Sequence, residues 1–173
     1  MIPTVQEIRI ANIQDLMEID EIYNQAISSG FQTGDLVPWT YHKRLEWFNE
    51  HCPKTHPIFV AIEAERVIGF VSASPYRKGR GALSKTIEVS VFVHNQKLNR
   101  GIGSSLIAHM GHTASSIGYK TIILIVLDTN LNSIYMFEKM GYSKWGILPC
   151  VAEFGDVEVG HIYFGKKIEG CQK

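Results

Sequence analysis

The sequence predicts an α/β domain built around one mixed sheet. Three observations carry that expectation. Apolar residues recur with helical period in some stretches and alternate in others; the run Lys120 to Leu127 is apolar and β-branched almost without a break, as a strand covered on both faces requires; and Ile58 to Ser74 reads as two strands joined by a tight turn. The resulting order is strand, helices, three strands, helix, buried strand, helix, two strands.

Val5 to Ile10 alternates as a short strand does, and Asp15 to Ala26 sets Leu16, Ile19, Ile22, Tyr23 and Ala26 on one helical face. Ser28 to Pro38, rich in Ser, Gly and polar residues, predicts a long loop of the kind that covers sites in enzymes. Thr40 suits the N-cap of a helix running to His51 with Leu45, Trp47 and Phe48 on its apolar side. The hairpin turn falls near Ala64 and Glu65, and Pro75 closes its second strand. Tyr76 to Ser84 holds Arg77, Lys78 and Arg80 among glycines, which suits either a solvated loop or an anion site. A strand follows over Thr86 to Val93, then a helix over Gly101 to Ile117. After the buried strand comes a short helix from about Leu131 to Met140, ended by Gly141, and two last strands at Ser143 to Cys150 and Val157 to Lys166. Gly170 to Lys173 is expected to fray.

The chain has 173 residues, 45% hydrophobic and 20% charged, enough for one domain spanning residues 1–173 with its core over about residues 8–168. Seventeen basic residues balance seventeen acidic ones, so no whole-molecule field draws nucleic acid or an anionic membrane. No apolar run approaches the roughly 18 residues of a membrane span. Cys52, Cys150 and Cys171 are odd in number and widely spaced, which argues against a disulfide framework and for a reducing, cytoplasmic setting. His109 and His112 lie three apart on a helix with no third ligand at metal spacing, so no metal is expected.

The most informative stretch runs from Val91 through Arg100-Gly101-Ile102-Gly103-Ser104, a strand leading through a turn into a helix. The first N–H groups of a helix have no internal acceptors and sit at the positive end of its dipole, and glycine lets a phosphate come close to that backbone. Lys97 and Arg100 add charge nearby. Two glycines easing a turn would explain the same letters. A dinucleotide fingerprint would need glycine where Leu106 stands, and a Walker loop would need Gly-Lys-Ser/Thr; both are absent.

Several separated segments together resemble the GNAT superfamily of N-acetyltransferases. They are Thr86 to Val93 leading to Arg100-Gly101-Ile102-Gly103, Asp128-Thr129-Asn130 after the buried strand, and Phe137-Glu138-Lys139-Met140-Gly141-Tyr142. Trp47-Phe48, the run Gly69 to Arg77, and Leu148-Pro149 bring the likeness closest to phosphinothricin and methionine sulfoximine acetyltransferases, from about Ile8 to Ile168.

The resemblance implies a sheet opened between the strands Thr86 to Val93 and Lys120 to Leu127, with the pantetheine arm of acetyl-CoA in the gap. The main chain of Val91, Phe92 and Val93 would pair with that arm. Asn99, Arg100, Gly101, Ile102, Gly103 and Ser104 would wrap the diphosphate, chiefly through backbone N–H groups. Asn130 would reach the cofactor from the far side; as a residue it reads equally well as a helix N-cap. Glu88 matches the family's catalytic or substrate-contacting glutamate and would take the proton of an amine, although a lone Glu in an apolar strand also suits an edge facing water. Arg77 would lie beside an amino-acid carboxylate, flanked by Lys78 and Gly79, with Val89 and Ser90 beside Glu88. Phe31 and Trp39 would either wall the substrate or pack in the core.

Three positions depart from the family's pattern. Leu98 stands where Gln or Arg is usual, with Gln96 and Arg100 near enough to compensate. Phe137 stands where a Tyr acid, or in the nearest subfamily a His, is usual, and Tyr135 lies on a different helical face. A CoA thiolate, with a thiol pKa of about 8.5 by analogy with Cys, leaves without a dedicated acid. Phe154-Gly155-Asp156-Val157 only partly matches the family's Phe-Gly-Arg-Trp. The expected activity is direct acetyl transfer from acetyl-CoA to the α-amine of a small amino acid or analogue, in a homodimer. A peptide or protein N-terminal acetyltransferase and a non-catalytic CoA-binding sensor are the alternatives.

Overall fold

The computed structural model describes residues 7–168. Its elements are β1 (Glu7–Ile10), α1 (Leu16–Ser29), α2 (Tyr41–Asn49), β2 (Ile58–Glu63), β3 (Arg66–Pro75), β4 (Thr86–Val93), α3 (Ile102–Ser116), β5 (Thr121–Leu127), α4 (Leu131–Lys139), β6 (Ser143–Phe154) and β7 (Val157–Lys167), with three short 3₁₀ turns. The strands form one seven-stranded sheet in the order β1-β2-β3-β4-β5-β7-β6, and every neighbouring pair is antiparallel except β4 and β5. The mixed α/β class and the element order are as the sequence predicts. Val5 and Gln6 of the expected first strand and the fraying end at Gly170 to Lys173 lie outside the described residues, as does Cys171.

Local chemistry explains the boundaries. Thr40 caps α2, its Oγ1 accepting from the Lys43 N–H at 3.3 Å. The β2–β3 turn holds Ala64 and Glu65 at φ 49° and 61°, the paired left-handed geometry of a tight hairpin. Gly141 ends α4 at φ 80°. The last hairpin is longer than predicted, running to Phe154 and Lys167, because β6 absorbs register shifts near Gly146 and between Leu148 and Ala152 instead of ending there.

Helices cover both faces of the sheet. The larger core lies under α3 and α4, where Ile102, Leu106, Ile107, Met110 and Phe137 pack on Ile87, Val89, Ile122, Leu124 and Phe164. A smaller core lies under α1, where Ile19 and Ile22 meet Val60, Val67 and Phe70. The buried residue of α2 is Arg44, 1% exposed, and not Leu45, which the apolar pattern favoured. Its guanidinium lies 4.3 Å from the Tyr23 and Trp39 ring centres and 5.0 Å from that of Trp47, with Nε donating to Asp20 at 2.9 Å. Three aromatic faces and a carboxylate offset the loss of water around the cation.

Candidate active site

The parallel pairing of β4 with β5 extends only over Thr86–Thr121, Ile87–Ile122 and Glu88–Ile123. Beyond Glu88 the two strands part, while β4 stays paired with β3 as far as Val93 opposite Gly69. The β5-facing edge of Val89 to Val93 therefore lacks a strand partner, a row of backbone groups free to pair with a ligand.

The opening leads into two cavities. The first, about 400 Å³, is bounded by Val91, Phe92 and Val93, the turn through Leu98 and Asn99, the start of α3 at Gly101 to Ser104, and α4 with Asn130. Gly101 stands at the N-cap with φ 77° and ψ 2°, where it supplies no capping side chain. The first N–H groups of α3 thus remain available to an anion. Asn130 combines both sequence readings: it lines the cavity and caps α4, its Oδ1 accepting from the Ser133 N–H at 3.2 Å. These features suit an extended ligand with an amide-bearing arm and a diphosphate.

The charge beside this cavity is arranged differently from expectation. Arg100 donates to Glu63 at 2.9 Å, and Lys97 is bound to the same carboxylate, holding Glu63 below the usual carboxylate range. The Arg100 guanidinium is thus engaged at the tip of β2, and Arg100 is absent from the cavity wall. Leu98 forms part of that wall without a compensating guanidinium.

The second cavity, about 320 Å³, opens on the α1–α2 face. Strand alternation builds its floor: Glu88, Ser90 and Phe92 of β4 stand opposite Ser74, Ser72 and Phe70 of β3 and share their face. Ile125 and Leu127 of β5 and, across from them, Tyr163 and His161 of β7 form the other wall. Tyr23, Trp39, Arg44 and Trp47 close the end beneath the helices. Arg44 Nη2 and Trp39 Nε1 are buried there without a hydrogen-bond partner. Burial pushes the Glu88 carboxyl above its ordinary value, and the Arg77 cation works against that rise. A half-buried carboxyl with a raised pKa at the mouth of an opened sheet is suited to proton exchange.

The structure brings Glu88 and Ser90 together in the second cavity, but distributes the other expected substrate residues elsewhere. Val89 is core, 3% exposed, because alternation turns it to the opposite face; only its backbone faces the opening. Arg77, Lys78 and Gly79 form an exposed turn after β3, outside both walls, with Arg77 near enough for its charge to act on Glu88. Trp39 lines the cavity, whereas Phe31 packs on Phe154, ring centres 4.9 Å apart. Phe137 is 4% exposed against Tyr142 and Phe164. Tyr135, set aside for its helical face, lines the first cavity instead. Residues that sequence reasoning missed are Gln32, Arg44, Ser72, Ser74, His161 and Tyr163; only the serines, polar letters at alternate positions of an apolar strand, carried a signal. Among the described residues no group of His, Cys, Asp and Glu is placed to hold a metal, and no helix is long and apolar enough to cross a membrane.

Comparison with known proteins converges on one family. The profile described as "Acetyltransferase (GNAT) family" matches residues 16–142. YwnH of Bacillus subtilis (strain 168) is 33% identical over 147 residues, 84% of this chain and 89% of that protein. The L-methionine sulfoximine/L-methionine sulfone acetyltransferase of Pseudomonas paraeruginosa is 28% identical over 147 residues, covering 84% and 85%. An N-acetyltransferase from Staphylococcus aureus Mu50 superposes with a TM-score of 0.90 at 29% identity, over 94% of this chain and 98% of that one. A phosphinothricin acetyltransferase from Sinorhizobium meliloti, crystallised with acetyl-CoA, shares the fold with a TM-score of 0.88 at 22% identity, over 93% and 87%.

Proposed function

The chain belongs to the GNAT acetyltransferase family, and from that premise we propose that it moves the acetyl group of acetyl-CoA onto the α-amine of a free amino acid or close analogue. The observation that carries this reading is the pair of cavities, one against α3 and α4 and one against α1 and α2, that share lining residues where β4 leaves β5. Acetyl-CoA supplies a thioester-activated acetyl group. The free edge of Val91 to Val93 holds the pantetheine arm, the backbone of Asn99 to Ser104 holds the diphosphate, and Asn130 closes over the arm from α4.

On the acceptor side Glu88 takes the proton of the ammonium group, directly or through water, so that the nitrogen lone pair can attack. Its raised pKa brings it nearer the working pH, which suits a group that must take and return a proton. Among the described residues no cysteine lines either cavity, and on this reading the amine attacks the thioester directly, with no acyl-enzyme. Arg77 at the mouth, with Lys78 and Gly79, receives the carboxylate of the acceptor, while Ser90 and the backbone of Val89 border its amine end. The aromatic wall of Tyr23, Trp39, Trp47 and Phe70 takes the side chain. This matches the chemistry in the name of the Pseudomonas relative, an amino-acid analogue with a free α-amine and carboxylate.

We also propose that the protein pairs with a second copy. Edge strand β6 presents Trp145, Ile147, Leu148 and Val151, each 43% to 55% exposed, an apolar stretch that a lone sheet edge rarely carries. Cys52 and Cys150, exposed and unpaired, suit a reducing cytoplasm. The reading is tested by free-thiol release from acetyl-CoA over a panel of free amino acids and short peptides. Release driven by free amino acids supports it; release driven only by peptides, or tight CoA binding with no release, rejects it.

A further inference from the structure

The two cavities share two residues, Phe92 and Gln32. On the reading above, the acetyl carbonyl arrives through the first cavity and the amine through the second. Residues that line both therefore border the reacting atoms. Phe92 offers a ring there, and Gln32 offers a polar group.

Gln32 lies on the loop between α1 and α2, and the loop is held on both sides of it. Before it, Phe31 packs on Phe154 with ring centres 4.9 Å apart, in a left-handed conformation of φ 57°. After it, Thr33 Oγ1 lies 2.9 Å from the Tyr23 hydroxyl and accepts from the Asp35 N–H at 3.3 Å, while Tyr23 donates to Asp35. Burial and the Asp35 carboxylate push the Tyr23 hydroxyl up to about 12, so it stays protonated and the tie persists through the working pH range. The Tyr23 ring stands edge-on to Phe92 at 4.9 Å, which joins the loop to the strand where the sheet opens. Gln32 is exposed at the rim, and among the described residues none hydrogen-bonds its amide. An anchored loop thus delivers one unengaged amide to the junction, and a non-glycine residue at positive φ beside it is the kind of local strain that collects at functional sites.

We propose that Gln32 is a catalytic residue of the transfer, its side-chain N–H donating to the acetyl oxygen. In the reaction the amine nitrogen forms a bond to the carbonyl carbon, and the carbonyl pair moves onto oxygen. As that pair returns, the C–S bond breaks and sulfur leaves with its electrons as the CoA thiolate. Two protons leave the nitrogen: Glu88 passes the ammonium proton to solvent before attack, and the second, left on nitrogen once the new bond forms, goes by way of Glu88 to solvent or the thiolate. The oxygen carries most charge between bond making and bond breaking, so a donor brought to it by an anchored loop helps more there than in the ground state. An amide has no proton to lose in the working range, so its contribution is independent of pH.

The proposal rests on the acetyl-transfer reading, and two assays separate the two. Transfer to the best amino-acid acceptor and the slow hydrolysis of acetyl-CoA without acceptor are measured for wild type and Gln32→Ala, with thermal melting as a check on folding. Charge builds on the same oxygen in both reactions, so Gln32→Ala lowers both by a similar factor, about 10²-fold. The KM values for acetyl-CoA and acceptor move less than about threefold, and the melting temperature is unchanged. Unchanged hydrolysis, or a loss carried by either KM, overturns the proposal. A wild type that hydrolyses acetyl-CoA but transfers to no amino acid rejects the acceptor reading instead, and hydrolysis by Gln32→Ala still decides the role of Gln32.

Discussion

The two cavities that meet at the opened sheet are made of different materials. The first joins two backbone features, a free strand edge over Val91 to Val93 and the uncapped start of α3, to one flank of α4. The second is made of side chains drawn from α1, α2, β3, β4, β5 and β7. A ligand that is always the same can be held by backbone, which mutation hardly alters. An acceptor that varies between relatives is read by side chains. The comparison teaches that side-chain changes should fall heavily on the acceptor side and lightly on the cofactor side.

The largest expected effect breaks the acceptor side at the carboxyl proposed to take the proton. Glu88→Gln lowers kcat by about 10²- to 10⁴-fold while CoA binding, followed by calorimetry, is kept. Loss of CoA affinity in that variant would mean that the cavities are not separate in function. Next comes the cofactor side, attacked through its backbone. A Cβ at Gly103 would lie 3.1 Å from Met136 Sδ, inside the wall of the first cavity. Gly103→Val therefore raises the KM for acetyl-CoA by about 10-fold, whereas Ser104→Ala, which leaves the backbone in place, changes it by less than about threefold. Equal losses from the two would show that the Ser104 side chain matters after all.

The pH dependence is a finer probe. Because burial raises the Glu88 pKa, kcat climbs with pH to a plateau and its midpoint lies above the ordinary carboxylate value of about 4.3. Stability runs the other way. A carboxyl whose pKa is higher folded than unfolded makes the native state bind more protons, so its contribution is fully present below the unfolded value and is lost as pH rises through the folded one. Removing that charge makes Glu88→Gln melt higher than wild type at pH 8, by about 2 °C, with the gap closing near pH 4. A variant that melts lower at pH 8 would mean that the carboxylate is a structural partner.

The same contrast explains what could be read from the letters alone. The first cavity draws most of its wall from two short stretches, Val91 to Ser104 and Asn130 to Met140, and helix-start chemistry lets glycine pattern and ligand class be connected locally in the first of them. Its surprises come from outside that first stretch: Gln32 and Tyr135 in the wall, and Glu63, which engages Lys97 and Arg100. The second cavity has no such continuity. Glu88 was legible as a charge within an apolar strand, but His161 and Tyr163 become neighbours of the opening only because β7 pairs with β5. Arg44 was hidden because a buried arginine looks like any polar residue of an exposed helix face until three rings close around it. The order of elements along the chain and the mixed α/β class followed from period and turn chemistry. The length of the last hairpin did not, because bulges let a strand continue where its pattern breaks.

The proposed acceptor is a free amino acid whose carboxylate meets Arg77, on the exposed turn whose charge reaches Glu88. The most direct test compares thiol release with an amino acid and with its carboxamide, in wild type and in Arg77→Ala. Wild type is expected to favour the acid by about 10-fold or more through KM, as loss of a charged hydrogen bond implies, and the preference is expected to collapse in Arg77→Ala. Equal rates for acid and amide in wild type, or a preference that survives the substitution, would contradict it.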